Sequence, residues 1–566
     1  MSELLSHRGV RLLGALATWV FVLAVVGWVA SMLLTPTGGG PFYGWQGGDA
    51  AGTQWYYDWV ARSVLAGEPL DVVRDFDFPT GRMRAHNFPA LGDALLVLPL
   101  HVLLDWPEQW QATQILVVAV SALGLAWLAR GVGCRHLGVA YAGAIGALLH
   151  PIFFELHMGR TNSCWIGLAA AAVAGALEIL RPGSRLWTRA LWVPVVAVIG
   201  GLCSTYPPFL LMLMPLGIAL VLRDGLRASQ GQGLLVLLAV ALAIAIAVPD
   251  LQSMNAFPRE RTANVFEMCF RDGTMPLGDW WSWGGQHPAA RPKLLISAGA
   301  WIIAPLALLH PSSRLPALVG LPLALLLALL GSGPCLELSS GAGLIEAGSS
   351  WAADSRELWA PLQVVHVPGR FALAGGVVAA VLGGLGLEAL LLRARGRWRI
   401  VLGVVAALLG IGLVVVAGSM TVSELRNAGR WGRATETRAA GRIAEMDAGL
   451  AVAELPFAID AQFPSVLRAP GPPRLAPLAG GGPPPESLAI AWLQDLGSGH
   501  PLGTAPTREE VREAGVGLVV FDSTHCSLPL VPESACSSAT VEALEEVLGP
   551  PTEDPGGILV WDLGAG

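Results

Sequence analysis

Lysine is almost missing from this chain. Lys293 is the only one, and arginine supplies the other fixed cations. Charge of either sign is scarce, at 14% of residues against 53% hydrophobic, where a soluble protein carries roughly a quarter. That deficit excludes an ordinary soluble domain over 566 residues. It indicates a polytopic membrane protein, with length to spare for a second, soluble domain. A net charge of −7 leaves no basic field for nucleic acid. No CxxC, no HExxH and no cluster with zinc spacing occurs, which argues against a structural metal. No repeat at a solenoid or propeller period is visible.

What the sequence has instead is apolar runs. Segments long enough to cross a bilayer, roughly 17–25 residues, fall near 12–34, 110–130, 137–154, 164–180, 189–204, 207–222, 233–249, 294–310, 315–331, 371–392 and 399–419. The first follows a basic flank, exceeds a signal-peptide core and lacks a clear cleavage site, so it reads as an uncleaved span. Arginines divide the loops into two alternating sets. One set holds Arg8 and Arg11; Arg130 and Arg135; Arg181, Arg185 and Arg189; Arg223 and Arg227; Arg314; and Arg393, Arg395, Arg397 and Arg399. The positive-inside rule places that set and the N-terminus in the cytoplasm, and about eleven spans then leave the C-terminus outside. The segment 91–104 is short and contains Pro99. Counted as a span it would invert every later arginine loop, so it is expected to lie on the outer surface or to be re-entrant.

The expected organisation is a transmembrane domain over 1–419 with outer loops 35–109, 250–293 and 332–370. Residues 420–566 are expected to form a small extracytoplasmic α/β domain. Short β-like runs at 449–457, 516–522 and 558–562 alternate there with helix-like stretches at 507–515 and 538–549, with Thr507 and Ser538 as candidate caps. No glycine-rich phosphate loop and no nucleophile elbow appears in it. Of seven cysteines, Cys269, Cys335, Cys526 and Cys536 fall outside. Cys526 and Cys536 are near enough in sequence to bridge a loop, and two free thiols are the equal alternative.

The ordered features of the first third carry a resemblance. An N-in span is followed by an outer loop opening on Asp49, then a helix through TQWYYDWVARSVLAGE (53–68). Next come FPALGDALLVLPLHVLLD (88–105), AWLARGVG (126–133) and LLHPIFFELHMGRTN (148–162). Further on, WAPLQVVHVPGRFALAGGVVAAVLGGLGLEALL (359–391) places a Pro-x-Arg-Phe motif before a late span. In this order the chain resembles the GT-C superfamily of membrane glycosyltransferases, which use polyprenyl-phosphate-linked sugars. It looks closest to the bacterial aminoarabinose- and mannosyltransferase-like branch. The sequence departs from that pattern twice. Asp49 is followed by Ala50 where many members have a second acid, and Asn162 stands where many carry another.

The resemblance implies a multi-pass protein of the bacterial inner membrane that moves a sugar, with inversion, from a polyprenyl-phosphate donor to an envelope glycan, lipid or protein acceptor. Asp49 would be the catalytic base; as a plain loop acid it would instead cap the following helix. Arg370 and Arg160, at the outer bilayer surface, would bind the donor phosphate, or else anchor at the headgroups. His86, Glu155, His157 and His366 are candidate supporting residues. The donor is a substrate, and a requirement for a divalent metal is left open. Two other readings stand beside this one: a transporter or flippase for a lipid-linked glycan, and a catalytically silent scaffold of the same architecture.

Overall fold

The computed structural model describes residues 7–35, 42–43, 50–76, 82–83, 91–104, 108–157, 159, 161, 164–181, 186–202, 230–255, 301, 303–331, 369–393, 398–427, 430–431, 443, 450–457, 473–475, 487–500, 503–527, 531–554 and 558–563. Along the chain, α1 (His7–Leu34) is followed by α2 (Ala50–Ala66) and α3 (Leu91–Leu103). Then come α4 (Glu108–Gly131), α5 (His136–Ala147), α6 (His150–His157), α7 (Ile166–Leu180), α8 (Leu186–Leu202) and α9 (Gln230–Asn255). A 3-10 turn at Ala304–Leu309 leads into α10 (Pro311–Gly331), α11 (Gly369–Arg393) and α12 (Trp398–Asn427). Five of these helices hold stretches long and apolar enough to cross a membrane: Leu12–Leu34, Glu108–Gly131, Pro311–Ala328, Leu373–Arg393 and Val401–Ser419.

The chain divides into two compact units. One comprises Met1–Tyr43, Asp105–Leu251 and Glu260–Gly429; the other comprises Gly44–Leu104, Gln252–Arg259 and Arg430–Gly566. The first is helical. Its α11 is buried on every side from Val377 to Leu382, whereas α1 and α12 present large apolar side chains such as Leu12, Leu16, Leu408 and Val415 outward. A helix apolar all round suits a bundle core or a lipid-facing position. Small residues let backbones meet. A Cβ on Gly138 of α5 would stand 2.7 Å from the carbonyl oxygen of Gly384 in α11, and one on Gly384 would stand equally close to that of Gly138.

Packing gathers the arginine-bearing ends of the helices at one end of this unit. Gly14 of α1 abuts the His136 ring, and Gly131 of α4 abuts Leu177 of α7. Gln232 of α9 donates to the carbonyls of Ile179, Leu180 and Arg181, and the Arg189 guanidinium donates to the Arg181 carbonyl. Helices α10 and α11 run antiparallel, since Gly320 meets Leu382 while Gly375 meets Ala324 and Leu327. Arg314 therefore lies toward the end of α11 that carries Arg393.

At that same end the buried carboxylate of Glu388 accepts the backbone N–H groups of Arg135 (3.0 Å) and Gly138 (3.1 Å). It caps the N-terminus of α5 from another helix, where no local side chain does so. Glu388→Ala is expected to cost about 1–3 kcal/mol, the penalty for a buried donor left without an acceptor. Glu388→Gln retains an acceptor oxygen and is expected to recover most of that loss. Thermal melts of the detergent-solubilised variants would show both effects, and an unchanged Glu388→Ala melt would refute them.

In the second unit, β1 (Val72–Val73) pairs antiparallel with β2 (Arg82–Met83) in the first loop. The C-terminal residues form a four-stranded mixed sheet. It is built from β3 (Ala451–Leu455), β4 (Val516–Asp522), β5 (Thr552–Asp554) and β6 (Ile558–Asp562), in the order β3-β4-β6-β5. β3 and β4 are parallel; the other two pairings are antiparallel. Strand alternation sends Ala453, Leu455, Val519 and Phe521 to one face. There they meet α13 (Leu488–Ser498), α14 (Arg508–Glu513) and α15 (Ser538–Leu548) through Leu493, Leu496, Val511, Leu544 and Leu548. Each such side chain, once buried, contributes roughly 1.5–3 kcal/mol. Val452, Leu518, Val520 and Val560 form a smaller cluster with Ile443 on the other face.

Thr507 caps α14 in a reciprocal capping box with Glu510. Ser538, expected as a cap, is instead the first residue of α15, and Ser537 occupies the cap position. Cys526 and Cys536 are joined in a disulfide.

The first loop's two helices are tied together within this unit. The Tyr57 hydroxyl of α2 donates to Asp93 of α3 (2.8 Å), and the Tyr57 ring stands edge-on to His101. His101 is only 7% exposed, and burial lowers its pKa from 6.5 to about 4. The imidazole is therefore neutral in the fold at neutral pH. Below pH 6.5 the unfolded chain takes up a proton that the folded chain refuses until about pH 4. Stability is fully present above pH 6.5 and falls as pH drops through that window, by about 3 kcal/mol in all. Hydrogen exchange of α3 amides should therefore accelerate between pH 6.5 and 4 more steeply in the wild type than in His101→Leu. Parallel profiles, corrected for intrinsic exchange, would rule this out.

Candidate functional site

The end of the helical unit opposite the arginines is built from α6, the start of α4, the first turns of α7 and the start of α11. Pro151 explains α6: its ring excludes a carbonyl four residues back, so α5 stops at Ala147 and a new helix starts at His150. Leu149, ahead of α6, lies against Gly376 of α11. Glu155 of α6 is 3% exposed. The buried polar side chains Gln109, Thr113, Gln114 and Thr161 belong to the same end. Thr113 bonds back to the Gln109 carbonyl, and the Cys164 thiol to the Ile152 carbonyl. Arg370 is the second residue of α11, and α11 packs on α6. The end thus carries a carboxylate on α6 and an arginine on the opening turn of α11.

The other expected site residues distribute as follows. Asp49 lies outside the described residues, immediately before Ala50, the first residue of α2. Arg160, His86 and His366 also lie outside them. His157 closes α6, with its side chain outside the described set. Among the described residues no group of three His, Cys, Asp or Glu side chains can hold a metal ion.

Two further carboxylates between residues 50 and 76 have a specific setting. Asp58 of α2 accepts from Arg62 Nε (2.9 Å), and Asp75 Oδ2 accepts from Arg62 Nη2 and Trp55 Nε1, each at 2.9 Å. Burial raises the pKa of Asp58, against the opposing pull of Arg62. Sequence reasoning missed Glu454 and Arg474, both fully buried in the C-terminal residues. Charged residues near proline-rich sequence read as solvent-exposed, and only the pairing in space reveals them.

No family model and no curated protein sequence matches this chain. Solved structures do. The apo crystal structure of ArnT from Cupriavidus metallidurans matches with TM-score 0.51 and 14% identity, over 97% of this chain and 98% of ArnT. The oligosaccharyltransferase AglB from Archaeoglobus fulgidus, solved with an inhibitory peptide and a dolichol-phosphate, matches with TM-score 0.48 and 12% identity, over 89% and 69%. The arabinofuranosyltransferase AftD from Mycobacteria matches with TM-score 0.49 and 13% identity, over 97% of this chain and 42% of AftD. All three are GT-C glycosyltransferases. Of these, the ArnT match carries the structural argument, and it shows that this chain shares the fold of ArnT along nearly the whole of both chains.

Proposed function

We propose that this protein is an inverting glycosyltransferase of the cytoplasmic membrane, moving a sugar from a polyprenyl-phosphate donor to an envelope acceptor on the outer face. The observation that carries the reading is the fold shared with ArnT along nearly the whole of both chains. The proposed topology has about eleven spans, N-terminus inside and C-terminus outside. The clustering of arginine-bearing ends supports that sidedness, and the Cys526–Cys536 disulfide suits an oxidising compartment. Residues 1–419 would supply the membrane part and 420–566 the outer domain.

In this reading Asp49 accepts the proton of the attacking acceptor hydroxyl. Arg370, aided by Arg160, steadies the negative charge that develops on the departing lipid phosphate. Glu155, buried at the same end as Arg370, is a supporting residue. His86, His157 and His366 fill supporting places. Among the described residues of the helical unit, the buried charged side chains are Glu155 and Glu388, one toward each end. A transporter places such groups near mid-membrane instead.

The test is transfer in vesicles. Full-length protein is supplied with a panel of radiolabelled undecaprenyl-phosphate sugars and an envelope extract as acceptor. Label reaching the acceptor is expected. Label crossing the vesicle still on its lipid would identify a flippase, and neither event with any donor would identify a scaffold.

A further inference from the structure

We infer that Asp75 and Arg474 are positioning residues: together they clasp α2, the helix that follows Asp49, onto the C-terminal sheet. The inference rests on the proposed role of Asp49. It also gives the C-terminal residues a task, which is to fix the loop that carries the base.

The geometry starts at the sheet edge. Residues 473–475 run beside β3, where Val452 N–H donates to the Pro473 carbonyl and Leu475 N–H donates to the Val452 carbonyl, both at 2.9 Å. Extended backbone alternates its N–H direction, so Arg474 N–H faces away from β3. It donates to the Asp75 carbonyl at 2.8 Å. The strip thus covers an edge of the sheet with one side and holds the first loop with the other.

The Arg474 side chain is 1% exposed, as is that of Glu454 on β3, whose Oε2 lies 4.0 Å from Arg474 Nε. Burial presses the guanidinium pKa down, and the charges of Glu454 and Asp75 hold it up. A cation so buried requires its anions nearby. Asp75 in turn grips α2 at two points about two turns apart, Trp55 Nε1 and Arg62 Nη2. The next residue, Phe76, is fully buried with its ring edge-on to Trp55 at 4.9 Å. Trp55 lies about 7.5 Å along the helix axis from Ala50. An anchor at that range sets where the residue before Ala50 stands, and misplacing a reacting group by about 1 Å costs roughly 10²-fold in rate.

The experiment uses the full-length protein in vesicles with four variants: Asp75→Ala, Asp75→Asn, Arg474→Met combined with Glu454→Met, and Asp49→Asn. The double variant removes both buried charges together and leaves neither stranded. Amide exchange is read separately over α2 and over β4 and β6. In Asp75→Ala and in the double variant, α2 is expected to exchange ~10-fold faster while β4 and β6 keep their protection. Asp75→Asn keeps an acceptor for Trp55 and Arg62 and should stay near the wild type. Transfer from undecaprenyl-phosphate mannose is then expected to lose kcat, with donor KM unchanged, in the loosened variants only.

Unchanged α2 exchange in Asp75→Ala overturns the clasp. So does loss of protection in β4 and β6 along with α2, because the residues would then only fold the sheet. If α2 loosens as expected while Asp49→Asn transfers normally, the clasp stands and the role of Asp49 falls.

Discussion

Vesicles carrying Asp49→Asn are expected to transfer sugar ~10²–10⁴-fold more slowly than wild type, the contribution of a positioned general base. The substitution changes almost nothing but charge and basicity. That makes it discriminating, because Asp49 directly precedes Ala50 at the start of α2. Asparagine caps a helix as well as aspartate does. If Asp49 only satisfied the free N–H groups of α2, the variant would keep its activity and its melting temperature. If Asp49 draws the proton from the acceptor, kcat falls while donor affinity stays, since the proposed phosphate contacts are Arg370 and Arg160. Arg370→Ala is the converse case, expected to raise the donor KM as well as lower kcat. Equal transfer by Asp49→Asn and wild type would end the proposed mechanism.

Gly124→Val is expected to prevent the helical unit from assembling, a loss of ~4 kcal/mol or more by overpacking. A Cβ on Gly124 of α4 would lie 2.1 Å from the carbonyl oxygen of Gly167 in α7, and one on Gly167 would lie 2.4 Å from that of Val120. Both obstacles are backbone, which cannot rotate aside as a side chain does. The helices would have to separate, and that would disturb the start of α7 and the buried Thr161 and Cys164 just before it. Gly412→Val is the control. Its Cβ meets nothing within 4 Å on α12, so its cost is expected to stay within ~0.5 kcal/mol. Size-exclusion profiles and trypsin resistance in detergent separate the two cases. A monodisperse, protease-resistant Gly124→Val protein would refute the packing argument.

Much of the helical framework was legible because long apolar runs have few alternatives in lipid. The runs at 12–34, 110–130, 371–392 and 399–419 correspond to α1, α4, α11 and α12. The run at 137–154 is two helices instead of one, since hydropathy is blind to a proline that excludes a carbonyl four residues back. The run at 294–310 ends in a 3-10 turn with proline at its start, and the run at 207–222 lies outside the described residues. The segment 91–104 forms α3, which groups with the second unit.

Strand signals at 449–457, 516–522 and 558–562 match β3, β4 and β6. The short acidic β5, Thr-Glu-Asp, gave no signal at all. Glu388 and Arg474 were illegible for a shared reason. A charged residue declares its partner only through folding, and periodicity carries no information about a contact between distant parts of the chain. The candidate site was legible as chemistry, an acid and cations near an outer surface, but not as geometry.

The second unit takes most of its residues from two stretches far apart in the polypeptide, 44–104 and 430–566. Residues 44–104 leave the ribosome long before their partners at 430–566. The early loop must therefore wait, incompletely folded, through synthesis of nearly all the intervening helices. Arg474 follows the intervening helices out of the ribosome, so a chain halted before it lacks the inferred clasp on that loop. Folding of the early loop is thus tied to the later synthesis of residues 430–566.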